Sequence, residues 1–278
     1  MTKKTTSEKK NKTTAISAEQ FQSLRKWNLW AGLLLAVQAI AIVIIGTSRS
    51  YPLTTNFLTV DTLASEATKG QSLAAATRHL WDMPLAWGLG GVLLLFAIAN
   101  LVAALWARKW YEQRLVRGLN DLRWLSFAVG GAGLLATVGL LVGIYDLTLL
   151  LAVKAFMVAG CLGVMAGGIM RQAAGDKETP LSHVVCGVGT ACIVAALVII
   201  GITTGGAVLY DGHIPAFVYG ILATTGVAFL ALGGITHLRI VRKGIWANPL
   251  TVERAFLVLS FLAVSAVTWQ VYAGALKP

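Results

Sequence analysis

Seven long apolar runs limit what this chain can fold into. They lie at Asn28–Thr47, Leu85–Ala107, Leu122–Ile144, Leu147–Met170, His183–Gly205, Ile214–Ile240 and Arg254–Leu276. A helix rises about 1.5 Å per residue, so each run can cross the hydrocarbon core of a bilayer. Only 13% of the 278 residues are charged, which is far below the share in soluble domains. The sequence therefore predicts an all-α membrane protein in which residues 23–278 form one bundle of seven transmembrane helices.

The positively charged residues that flank these runs predict the orientation of the bundle. Counted loop by loop, 18 Lys and Arg fall on the side of the amino terminus and 4 on the opposite side. Because basic flanks are retained in the cytoplasm, we expect a multi-pass cell-membrane protein with a cytoplasmic amino terminus and an extracellular carboxyl terminus. The net charge of +11 then reflects topology and contact with anionic lipids, and it gives no support to a nucleic-acid partner.

Two segments lie outside the predicted helices. Residues 1–22 are mostly polar and charged, which is typical of a disordered basic tail. The connection at residues 48–84 is too long for an unstructured loop in a compact bundle. Within it, Tyr51–Val60 is rich in β-branched and aromatic residues and has no glycine. We therefore predict a strand or hairpin arm between the first two helices.

Few groups within the runs can carry chemistry. No Asp, Glu, His or Arg lies near the middle of a run, where proton and ion pathways normally place them. Lys154, roughly 10 Å deep in the fourth run, either extends to the outer interface or binds an anionic or carbonyl ligand. The histidines are scattered over different loops and helix ends, at His79, His183, His213 and His237. Neither a metal site nor an enzyme is predicted.

Small residues are frequent in the third and fourth runs. Gly163 and Gly167 match the spacing that lets two membrane helices approach closely. This contact can form inside one bundle or between two protomers, and the pattern leaves both alternatives open.

Several short motifs, in order along the chain, carry a resemblance to a known family. They are Asp82-Met-Pro-Leu-Ala-Trp87, Arg108-Lys-Trp-Tyr-Glu112, Gly118-x-Asn120, Arg123-Trp124, Gly143-Ile-Tyr-Asp-Leu147, Pro215-x-Phe-Val-Tyr219, Glu253-Arg254, Leu259-Ser260 and Trp269-Gln270-Val271-x-Ala-Gly274. The chain resembles the heliorhodopsins, seven-helix retinal proteins whose amino terminus is cytoplasmic. The resemblance covers nearly the whole chain after about Ser23 and implies a rhodopsin-like bundle, which family members form as dimers.

Two positions depart from what the resemblance implies. The family holds retinal on a lysine of the seventh helix, and the matching position here is Val264, which cannot form an imine. The family's counterion glutamate in the third helix corresponds to Ser126. The two losses belong together physically, because a buried carboxylate without its protonated partner would be an unpaired charge costing several kcal/mol.

The resemblance also predicts the walls of the former retinal pocket. Family histidines near retinal align with Leu35 and Asn100, while Ser260 and Trp269 lie beside Val264 on the seventh helix. Retinal would then not be covalently bound. We expect a pocket that is collapsed or holds a non-covalent retinoid, carotenoid or lipid.

Three functions remain open from the sequence. The first is a non-catalytic binding, regulatory or scaffold protein, a homodimer that acts with an unidentified membrane or cytoplasmic protein. The second is a light-sensing photoreceptor with retinal attached elsewhere, for which Lys154 is the candidate. The third is a channel or transporter whose path would be lined by polar side chains, namely Gln38, Asn100, Ser126 and Thr137.

Overall fold

A computed structural model describes residues 17–69, 71–175, 180–210, 214–240 and 244–278. The elements are α1 (Ala18–Ile45), β1 (Ser50–Val60), α2 (Thr62–Thr68), β2 (Leu73–Pro84), α3 (Leu85–Ala104), α4 (Arg108–Val116), α5 (Asp121–Leu141), α6 (Leu147–Ala173), α7 (Pro180–Tyr210), α8 (Ala216–Ile240) and α9 (Pro249–Val271). A π turn, Tyr272–Leu276, continues α9. Seven helices in the described chain, α1, α3 and α5–α9, are long and apolar enough to cross a membrane. The predicted seven-helix bundle is confirmed.

The first spanning helix begins earlier than the predicted boundary at residue 23. Ser17 caps α1, accepting a hydrogen bond from the Gln20 amide at 3.3 Å, while the Gln20 side chain accepts one from the Ser17 amide at 3.0 Å. This reciprocal cap satisfies two free amides, so the helix starts at Ala18. Of the predicted disordered tail at residues 1–22, residues 18–22 are helical. Residues 1–16 lie outside the described residues, and for them the disorder stays a prediction.

The connection between α1 and α3 is a β-hairpin, as Tyr51–Val60 predicted. β1 pairs with β2 in an antiparallel sheet. Leu53 is buried, the Thr54 amide donates to the Tyr145 carbonyl at 2.9 Å, and Tyr51 stacks on the Tyr145 ring at 5.8 Å. The hairpin thus contacts the turn that joins α5 to α6.

Glycines let α6 and α7 pack with their backbones almost in contact. Gly160, Gly163 and Gly167 of α6 all face α7. A Cβ atom on Gly189 of α7 would lie 2.7 Å from the Gly160 carbonyl oxygen and 2.7 Å from the Val164 nitrogen, distances that no side-chain movement can relieve. The small-residue face therefore packs inside the bundle, which is the first of the two alternatives that the sequence left open.

Replacing Gly189 with leucine should separate these helices. We expect Gly189→Leu to destabilise the fold by about 1–3 kcal/mol, because the new side chain meets backbone on α6. Gly187→Leu is the matched control on the same helix, since a Cβ at Gly187 meets nothing within 4 Å. Thermal unfolding in detergent measures both variants. Equal midpoints for the two would mean that the α6–α7 contact is not close.

The third spanning helix contains a local widening next to a predicted site residue. Residues Phe127–Gly131 of α5 form a π turn directly after Ser126. Such turns are often found at functional sites. Gly130 faces the Phe96 ring of α3, and Gly131 faces the end of Met157 of α6. Side chains from the neighbouring helices thus approach the α5 backbone at mid-bundle.

Candidate functional site

A buried ion pair lies at the end of the bundle where α1, α5, α7 and α9 begin, called here the basic end. Arg123 of α5 and Glu253 of α9 are 3% and 0% exposed. The Arg123 Nη2 and Nε atoms donate to Glu253 Oε1 at 2.8 and 3.0 Å. A charge pair at this depth is tolerated only when its remaining hydrogen-bonding capacity is also satisfied.

Four further side chains provide that satisfaction. Arg123 also donates to Asn28 Oδ1 of α1 and to Asn100 Oδ1 of α3, each at 3.0 Å. Glu253 accepts from the Tyr111 hydroxyl at 2.5 Å and from Asn120 Nδ2 at 2.8 Å. Burial first, and then the charge of Glu253, raise the pKa of Tyr111 well above its usual value. The phenol therefore stays protonated and acts as the donor. The network ties α1, α3, α4, α5 and α9 together.

The sequence does not predict this network. The family resemblance predicts Asn100 in the retinal pocket, while Arg123 and Glu253 stand only in the family motifs. Asn28, Asn100, Arg123 and Glu253 do all lie toward the same end of the bundle, which is the signal that could have suggested pairing. The structure places Asn100 in the network, where its Nδ2 atom donates to the Phe96 carbonyl at 2.8 Å.

The predicted attachment and counterion positions lie deeper in the bundle. Val264 is 1% exposed, and Leu35, Ser126 and Ser260 are also buried. The Ser126 hydroxyl donates to the Leu122 carbonyl at 2.6 Å, and the Ser260 hydroxyl to the Leu257 carbonyl at 3.0 Å. Each hydroxyl is satisfied by its own helix. Two other hydroxyls of α9 near Val264, those of Ser265 and Thr268, are buried and find no partner among the described residues.

Four aromatic rings fill the space between the ion pair and this level. Phe256 of α9 meets Trp124 edge-on at 5.6 Å and Phe127 at 6.3 Å, while Phe96 of α3 meets Phe127 at 5.6 Å. Edge-to-face pairs at these distances stabilise a packed core. The cluster joins α3, α5 and α9 immediately beside Ser126.

Two residues of interest lie away from this interior. Trp269 is 38% exposed, and its Nε1 atom donates to Gln38 Oε1 of α1 at 2.9 Å. It therefore contributes to the contact between α1 and α9 near the bundle surface, apart from Val264. Lys154 is exposed on α6, whereas its neighbour Val153 is fully buried. Its amine thus points away from the core.

An apolar cavity of about 600 Å³ lies between α7 and α8, in the half of the bundle remote from the basic end. Val138 of α5 and Leu197, Ile200 and Leu222 contribute to its wall. Exposed residues of α7 also line it, so it opens at the bundle surface; we call it the lateral cavity. Val264 does not line it.

Two threonines, Thr204 and Thr225, lie in the wall of the lateral cavity. Thr225 is buried, and its hydroxyl finds no hydrogen-bond partner within the described part of the chain. The Thr204 hydroxyl, also in the wall, donates to the Ile200 carbonyl at 2.8 Å. A buried hydroxyl without a partner is costly, and a bound molecule with one polar group would supply the missing bond once the Thr225 side chain rotates toward the cavity.

Individually curated proteins give no match to the chain. The heliorhodopsin family model matches residues 24–276, which include all seven spanning helices almost from end to end. The chain belongs to the heliorhodopsin family.

Proposed function

We propose that this heliorhodopsin carries no covalent retinal and works as a non-catalytic binding or regulatory protein that holds an apolar molecule in the lateral cavity. The observation that carries the proposal is the contrast between two regions. At the level of Val264 the Ser126 and Ser260 hydroxyls are buried and bonded within their own helices, and Val264 does not line the lateral cavity. Between α7 and α8 there is room for a ligand and a buried hydroxyl that needs a partner.

The chemistry of the α9 interior supports the absence of an imine. Val264 has no amine, and Ser126 has no charge with which to stabilise a protonated Schiff base. Lys154, the candidate for attachment elsewhere, has an exposed side chain on α6. A photoreceptor with retinal on Lys154 would have to bind the chromophore outside the bundle, where lipid surrounds it.

The lateral cavity supports a non-covalent ligand of mixed character. Its volume of about 600 Å³ falls in the range of small-molecule sites. Its wall is aliphatic, and Thr225 provides one hydrogen-bonding position. A retinoid, a carotenoid end or a lipid chain with one hydroxyl or carbonyl group has the required chemistry.

Polar groups at mid-bundle give little support to a channel or transporter. Ser126 and Thr137 each donate to a carbonyl of their own helix. Gln38 accepts a bond from Trp269, and Asn100 is held by Arg123. Groups engaged in this way do not form a hydrated path.

The proposal includes an orientation and an assembly. The basic end faces the cytoplasm, because Lys and Arg are concentrated there, and the carboxyl terminus is extracellular. The protein acts in the cell membrane as a homodimer that transmits ligand binding to a membrane or cytoplasmic partner protein.

Filling the lateral cavity tests the proposal. In Gly226→Phe the new ring occupies the cavity, so a ligand has to displace it, and binding of retinol or a carotenoid should weaken about 10- to 100-fold. Gly220→Phe is the matched control, because Gly220 is exposed on the same helix and does not line the cavity. Ligand fluorescence and absorption titrations with purified protein measure both. No binding to the unmodified chain, or equal loss in the two variants, would refute the proposed site.

A further inference from the structure

A second cavity opens at the basic end of the bundle. It has a volume of about 620 Å³ and lies among the beginning of α5, the ends of α6 and α8 and the segment before α9. Three arginines line it, Arg117, Arg171 and Arg239, and we call it the basic cleft. It lies on the opposite side of Asn120 from the buried ion pair.

The arginines of the basic cleft form no direct ion pair with an acidic side chain of the described chain. Asp121 also lines the cleft, but it pairs with Arg114. Glu253 lies inside the core and pairs with Arg123. None of the ion pairs among the described residues includes an arginine of the cleft.

Arg239 is held in place while most of its donors stay free. Its Nη1 atom donates to Asn120 Oδ1 at 2.6 Å, and this amide in turn donates to Glu253. The other N–H groups of the Arg239 guanidinium make no hydrogen bond within the described residues. The charge of Glu253 attracts that of Arg239, whereas Arg171 is close enough to repel it. A cavity lined by several arginines with free, positioned donors has the chemistry that an anion needs.

We propose that the basic cleft binds a phosphate group, held by the guanidinium groups of Arg171 and Arg239. A guanidinium presents parallel N–H donors that match two phosphate oxygens, and a second cation is needed to balance a dianion. The cleft lies at a helix end where headgroups of anionic lipids are found, so the phosphate can belong to a lipid or to a soluble molecule.

Direct binding measurements with the full chain test the proposed phosphate site. Inorganic phosphate is the soluble probe, in zwitterionic detergent, and phosphatidic acid in phosphatidylcholine nanodiscs is the lipid probe. We expect Arg239→Gln and Arg171→Gln to weaken binding at least about tenfold, because each removes charge-assisted hydrogen bonds. Arg171→Gln matters because Arg171 makes none of the hydrogen bonds described for the folded chain, so its loss should not disturb folding.

Lys109→Gln is the matched control. Lys109 is exposed on α4 at the same end and does not line the cleft. Its loss should change affinity less than about twofold, since diffuse surface charge is screened by salt. Binding of inorganic phosphate identifies a soluble ligand, binding of phosphatidic acid alone identifies a lipid headgroup, and either supports the site. No binding of either probe, or an equal loss in Lys109→Gln, overturns it.

Discussion

Arg123→Ala is expected to destabilise the protein by about 3–5 kcal/mol, because it leaves Glu253 buried as an unpaired charge. Glu253 has no access to solvent, so water cannot replace the guanidinium. Asn28 and Asn100 lose their donor as well. Thermal or denaturant unfolding in detergent measures the change.

Two variants distinguish this effect from a general loss of surface charge. Arg108→Ala removes an arginine that pairs with Glu112 at 2.7 Å on the more exposed face of α4, and it should cost no more than about 0.5 kcal/mol. The double variant Arg123→Leu with Glu253→Leu removes both buried charges and should recover part of the stability. If Arg123→Ala lowered the free energy of unfolding no more than Arg108→Ala does, the buried ion pair would not stabilise this end of the bundle.

Restoring both lost groups should create a retinal protein. We expect Val264→Lys with Ser126→Glu to form an imine when retinal is added, giving a visible band that hydroxylamine bleaches. The unmodified chain should give none. Val264→Lys alone should lower stability by about 2.5–3.5 kcal/mol, the cost of a lysine near the centre of a membrane helix. The added glutamate supplies a counterion and should offset part of that cost.

The variant Val264→Lys with Ser126→Gln is the control for the carboxylate charge, because glutamine has nearly the shape of glutamate but is neutral. It supplies the amine without the carboxylate, so any band should be weaker and lie at a shorter wavelength. Equal spectra for the two double variants would mean that position 126 does not face the amine. A lack of imine in both would mean that the aromatic cluster of Phe96, Trp124, Phe127 and Phe256 leaves retinal no access.

The seven helices were predictable because each apolar run carries its own signal for length and hydrophobicity. Tyr51–Val60 was predictable as a strand from its β-branched residues. Its partner β2 was not, because Leu73–Pro84 contains a run of alanines that has no strand preference of its own and becomes a strand by pairing with β1. Tertiary contact decides such a segment.

The residues of the candidate site likewise include some that the sequence could predict and some that it could not. The interior positions of Leu35, Ser126, Ser260 and Val264 follow from a helical period and from the family pattern. The Arg123–Glu253 pair joins residues 130 positions apart, and no local pattern shows that they meet. The sequence predicts the depth of Trp269 along α9 but not the side of the helix on which it lies. That side is set by the hydrogen bond from Trp269 to Gln38 of α1.

The most direct measurement is borohydride treatment of the full chain after incubation with retinal, followed by intact mass spectrometry and organic extraction. Borohydride converts an imine into a stable covalent amine, whereas a non-covalent ligand stays extractable. The proposal predicts an unmodified protein mass together with an apolar molecule in the extract. A stoichiometric retinyl adduct on Lys154 or another lysine of the bundle would contradict it and support a retinal photoreceptor.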